Sequence, residues 1–141
     1  MSDEWYTPKS FFDDLGVEFD LDVCAPCSGA PWVPAKKYYC LDNDGLKQDW
    51  KGLVWMNPPY SSPQQWVEKW LNHGNGFALL PCAKSKWYNK LFATDSKFIL
   101  LPSTFKFINI AGNKISHMMA SSLWAIGEQN IKTLNRIGKV R

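Results

Sequence analysis

The most restrictive feature of this chain is a break. The apolar run Leu53-Val54-Trp55-Met56 has the size and composition of a buried strand, and it stops abruptly at Asn57-Pro58-Pro59-Tyr60. Consecutive prolines fix φ and withhold backbone N–H groups, so regular structure does not run through them. Ligands in open α/β sheets collect at the carboxyl ends of strands, which makes a polar residue in Asn57's place a candidate for function. Taken alone, the four residues also fit a surface turn.

Strand and helix signals alternate along the rest of the chain. Thr7 is a candidate N-cap before Pro8, Phe11, Phe12 and Leu15 form an apolar helical face, and Gly16 closes it. Val17, Phe19, Leu21 and Val23 alternate with Glu18, Asp20 and Asp22, the period of a strand. Three prolines and a glycine between Ala25 and Ala35 exclude a helix there. Tyr38-Tyr39-Cys40-Leu41 reads as a short second strand and Asp42-Asn43-Asp44-Gly45 as a turn. Ser61–Gly74 is expected to be a helix, with Ser62 as N-cap and Trp66, Val67, Trp70 and Leu71 on its apolar face. Phe77–Leu80, Phe98–Leu101 and Leu123–Ile126 read as strands, and Trp87–Ala93 as a short helix. Phe105, Phe107 and Ile110 suit an edge strand or hairpin, leading into a polar loop over 109–117. The expected fold is α/β: one domain over residues 1–141, with a mostly parallel sheet and an antiparallel end.

Composition narrows the function classes. An aromatic content of 15% argues for a folded core, and eight tryptophans also suit a site for a flat base or a cation. No apolar stretch reaches membrane-spanning length, and the first residues lack a signal peptide's pattern, so a cytoplasmic enzyme is expected. The net charge of +3 conceals a split: residues 1–60 carry five lysines against ten acids, whereas residues 61–141 carry eleven basic residues against three acids. A basic later half suits nucleic-acid phosphate, although a solvated surface would read the same. Cys24 and Cys27 have metal-ligand spacing, but no second close pair follows and His73 and His117 lie far off. Reduced thiols and no metal are therefore expected.

Asn57-Pro58-Pro59-Tyr60 resembles motif IV of the amino-methyltransferases, and other segments extend the likeness. Trp5-Tyr6-Thr7-Pro8, Leu21-Asp22-Val23-Cys24-Ala25, Lys37-Tyr38-Tyr39, Asp44-Gly45-Leu46 with Trp50, Leu80-Pro81 with Lys86-Trp87, and Phe105-Lys106-Phe107 follow in order. Together they resemble the phage-encoded DNA N-6-adenine methyltransferase family of Dam type. The resemblance implies a reduced Rossmann-like fold that uses S-adenosylmethionine (AdoMet) to methylate adenine N6 in DNA. The family's usual glycine-rich turn is absent, with only Ser28-Gly29 near its place, and the helix that normally joins the first two strands is replaced by a proline-rich segment.

The resemblance also implies roles. The adenine amine is a poor nucleophile because its lone pair is delocalised into the ring. The Asn57 side-chain carbonyl and the Pro58 backbone carbonyl would each accept one amine N–H and aim the lone pair at the methyl, with Pro59 in the same motif. Tyr60 would stack on an extruded base. Asp22, Cys24 and Ala25 would meet the polar groups of AdoMet; Asp44, Gly45 and Leu46 its adenine; Trp5, Tyr6, Thr7 and Pro8 would wall it. Lys84, Lys86, Trp87 and Lys106 would face DNA. Read individually, Asp22 also suits a strand's polar face, Asp44 a turn, Trp5 and Tyr6 a core anchor, and the lysines a solvated surface. Methylation of RNA or of protein glutamine, and a non-catalytic nucleic-acid-binding module, are the alternatives. A monomer or weak homodimer without a separate target-recognition domain is expected.

Overall fold

A computed structural model describes residues 6–28, 32–83, 85–102, 105–108, 114–115 and 121–141. The apolar run becomes β2 (Val54–Met56), buried throughout. It lies between β1 (Leu21–Asp22) and β3 (Gly76–Pro81) and is parallel to both, with Trp55 opposite Asp22 on one side and Phe77 on the other. Beyond β3 comes β7 (Ser121–Ile126), antiparallel to it, and then β4 (Lys97–Leu100), antiparallel to β7. The sheet is therefore mixed, in the order β1-β2-β3-β7-β4, with its reversed strand one place in from the edge. A second ladder pairs β5 (Phe107–Ile108) with β6 (Lys114–Ile115), the hairpin expected near Phe107. Tyr6 extends this ladder: its N–H donates to the Ile108 carbonyl at 2.9 Å, and the Ile108 N–H returns the bond at 2.8 Å.

Alternation along the central strands supplies two faces to cover. Val54, Met56, Ala78, Leu80 and Trp124 pack with Trp66, Val67 and Trp70 of α2 (Gln64–His73) and with Tyr88 and Leu91 of α3 (Lys86–Phe92). Trp55, Phe77, Leu79, Leu123 and Ala125 pack with Phe12 and Leu15 of α1 (Lys9–Leu15) and Leu134 of α4 (Glu128–Ile137). Short helices thus cover both sides of a small sheet. Gly74 ends α2 at φ 75°, in the left-handed region where only glycine is unstrained.

Several expectations need correction. Pro8 and Pro63, rather than Thr7 and Ser62, hold the N-cap positions of α1 and α2, and neither helix has a side-chain cap bond. The strand signal over 17–23 shrinks to Leu21–Asp22, with Phe19 bridged singly to Ala35. The second strand at Tyr38–Leu41 is one bridge from Asp22 to Tyr38, flanked by Asp22 N–H donating to the Lys37 carbonyl at 2.9 Å and Tyr39 N–H donating to the Asp22 carbonyl at 2.9 Å. Helix α4 was not expected; its signal is Ile131, Leu134 and Ile137 at helical spacing after Gly127. Of the 109–117 loop, only residues 114 and 115 lie among those described.

Candidate active site

Strands β1 and β2 are neighbours and parallel, so their carboxyl ends deliver Asp22 and Asn57 to the same edge of the sheet. Both side chains line one cavity of about 390 Å³, a size typical of small-molecule sites. The opposite walls come from the start of the chain, through Tyr6 and Thr7, and from the turn carrying Asp44 and Gly45. Cys24, Ala25 and Pro59 complete the set of expected residues found in the wall.

Asp22 is only 3% exposed, which removes the alternative of a charge on a solvated strand face. Burial pushes its carboxyl up from 3.8 to about 7, against a smaller lowering by the Cys24 N–H that donates to Oδ1 at 3.2 Å. A buried carboxyl held this way favours a ligand bearing positive charge or N–H donors. Thr7 has the complementary feature: its hydroxyl is buried without a hydrogen-bond partner among the described residues. Buried polar atoms are rarely left unpaired, so an orphan in a cavity wall is suited to a ligand. Both observations fit AdoMet, whose sulfonium and amino groups are cationic and whose ribose and carboxylate are polar.

The Asp44 wall is tightly specified. Asp44 has φ 54°, the one positive φ at a non-glycine among the described residues, and its N–H donates to the Cys40 carbonyl at 3.0 Å. At Gly45 any Cβ would collide with the Val23 carbonyl, so the turn closes against β1 only with glycine there. The Trp50 indole N–H donates to the Gly45 carbonyl at 2.8 Å.

Other expected residues lie elsewhere. Pro8 caps α1, and Leu46 packs beside the α2 face of the core; neither is in the cavity wall. Pro58 is buried behind the wall. Tyr60 is half-buried; its hydroxyl donates to the Leu79 carbonyl at 3.1 Å and its ring meets Phe107 edge-on at 6.3 Å, so the ring is held in place. Lys86 is exposed at the start of α3, Trp87 packs beside the core, and Lys106 is partly buried next to β5. Trp5, Lys84 and Gly29 lie outside the described residues.

The cavity also contains residues the sequence had not marked. Trp66, Trp55, Val23 and Leu41 were read as helix or strand positions, and Trp32 and Val33 fall in the proline-rich segment. Only Trp66 carried a usable hint, one turn into the helix that follows Asn57-Pro58-Pro59-Tyr60. The expected reduced thiols are corrected in part: Cys27 and Cys40 form a disulfide in the cavity wall, while Cys24 and Cys82 are not disulfide-bonded. Cys27 and Cys40, with Asp42, are the one potential metal cluster among the described residues, but bonded sulfurs are not thiolate ligands.

The sequence matches the profile of the DNA N-6-adenine-methyltransferase (Dam) family over residues 1–136. It is also similar to a DNA N-6-adenine-methyltransferase of Haemophilus phage HP1 (strain HP1c1), with 28% identity over 119 residues, 76% of this chain and 67% of that protein. No solved structure matches the chain.

Proposed function

The chain belongs to the DNA N-6-adenine-methyltransferase family, and from that membership we propose that AdoMet occupies the cavity between Asp22 and Asp44 and that Asn57 presents the target adenine to it. The enzyme is an adenine-specific DNA methyltransferase. What carries the assignment of the site is the convergence of Asp22, Thr7, Asp44 and Asn57 on one cavity at the carboxyl ends of adjacent parallel strands. The reduced Rossmann-like topology belongs to the same proposal.

Bound AdoMet supplies an electrophilic methyl on a sulfonium. The residues then divide the work. Asp22 accepts hydrogen bonds from the cofactor's polar groups at the end of β1, Thr7 donates or accepts through its orphaned hydroxyl, and Asp44 accepts the amine of the cofactor's adenine. From the wall at Asn57 and the adjoining Pro58, the Asn57 side-chain carbonyl and the Pro58 backbone carbonyl would each accept one N–H of the target amine. Those bonds draw the nitrogen toward tetrahedral geometry and point its lone pair at the methyl. With AdoMet bound, the amine lone pair would be aimed at the sulfonium methyl, and the two carbonyls at Asn57 and Pro58 would hold the amine until its surplus proton leaves to solvent. Tyr60, anchored at its hydroxyl, offers a fixed ring against which the extruded base stacks.

Incubation with labelled AdoMet and separate DNA, RNA and protein acceptors tests this. Label is expected in DNA, at adenine N6. Label confined to RNA or protein, or no AdoMet binding by calorimetry, would refute the assignment.

A further inference from the structure

Helix α2 follows Asn57-Pro58-Pro59-Tyr60 after a short turn, so the segment that presents the target base is continuous with this helix. From its partly buried side, Lys69 reaches across to the turn that carries Asp44. Its ammonium donates to the Leu46 carbonyl at 2.8 Å and to the Gln48 carbonyl, and lies 5.3 Å from the centre of the Trp50 ring. Trp50 in turn holds the Gly45 carbonyl. Gln48 donates from its side-chain amide to the Asn43 carbonyl at 2.7 Å, and the Lys47 N–H donates to the Asp44 carbonyl at 2.9 Å. Lys69 thus meets the carbonyls that the turn's own residues leave over. A solvated surface role does not fit a lysine that spends its donors on two backbone carbonyls of the turn in which Asp44 holds its positive φ.

We infer that Lys69 is a positioning residue for the methyl transfer, holding the 44–48 turn so that Asp44 meets the cofactor's adenine, and tying that half of the site to the helix behind Asn57. The inference rests on the assignment of Asp44 to that adenine. Removing the ammonium leaves two carbonyls without their donor and releases the turn. The loss belongs in cofactor binding, not in the chemical step, because Lys69 touches neither reacting atom.

The test compares Lys69→Met, Lys69→Arg and Asp44→Ala by AdoMet calorimetry and steady-state methyl transfer. Lys69→Met is expected to weaken AdoMet about 10- to 100-fold, the loss appearing in KM for AdoMet rather than in kcat or KM for DNA. Lys69→Arg restores most of it. An AdoMet analogue with hypoxanthine in place of adenine provides a readout that simple destabilisation would not move: wild type discriminates against it, and Lys69→Met does so much less. If Lys69→Met fails to fold, Lys69→Ala, which likewise removes the donor, carries the same comparisons. Weakened binding in Asp44→Ala beside wild-type affinity in the folded Lys69 variant would overturn the inference, as would a loss confined to kcat. Wild-type affinity in Asp44→Ala would instead overturn the assignment of Asp44, and with it the role of Lys69.

Discussion

Asp22 shows what one residue contributes at opposite ends of a trade between stability and function. Its carboxyl rises from 3.8 to about 7 because burial penalises the charge. A group whose pKa is higher folded than unfolded stabilises the fold below the unfolded value, and that contribution is lost as pH rises through the folded value. Ligand-free protein should therefore lose stability between about pH 4 and pH 7 on account of Asp22, by on the order of a few kcal/mol. Asp22→Asn is expected to melt higher than wild type at pH 8, with the gap closing toward pH 4, while binding AdoMet poorly. Thermal melts across that range, paired with calorimetry, check it; a pH-independent gap would mean that Asp22 is not the group responsible. The residue types at Asp22, Asn57 and Asp44 were legible in the sequence because each sits in a short local motif. The burial of Asp22 was not, because alternation alone sends it to the polar face, whereas the distant segment Lys37–Tyr39 pairs alongside it.

At the scale of elements, what could be read from the sequence was whatever depends on neighbouring residues. Helices α1, α2 and α3 and the central strands fall where periodicity and the terminal glycines put them. Pairings between distant segments were hidden: the cavity walls at Trp32 and Val33, the single bridges that replace a second strand, and the link between Cys27 and Cys40. That disulfide ties the loop after β1 to the segment before Asp44, closing a span of 13 residues. Chain-entropy reasoning gives such a closure about 3 kcal/mol of stability. Cys27→Ser, or treatment with reductant, should lower the denaturation midpoint correspondingly and weaken AdoMet, whereas Cys82→Ser should respond to reductant as wild type does. Denaturation curves with and without reductant decide the point. No response would show that the sulfurs are not joined in solution, and stoichiometric zinc would assign them to a metal instead.

For the whole molecule, charge and size govern how DNA is met. The excess of basic residues over 61–141 should make binding strongly salt-dependent, since each phosphate contact releases counterions. Lys84→Ala with Lys86→Ala is expected to weaken binding across sequences and to reduce the salt slope by about one per lost phosphate contact. Specific DNA readers usually bury about 1,000–2,500 Å² of protein surface, and both faces of the sheet in this chain are already covered by helices. A short or relaxed recognition sequence should follow for a monomer, which methylated-site sequencing on a random DNA pool would reveal. All of this presupposes that the cavity is where methyl transfer occurs, and Asn57 is the residue on which that rests. The decisive measurement is the rate of N6-methyldeoxyadenosine formation by Asn57→Ala beside wild type, read by mass spectrometry of digested DNA at saturating AdoMet. A drop on the order of 10²–10³ with AdoMet affinity preserved is the predicted result; near-wild-type turnover would contradict it.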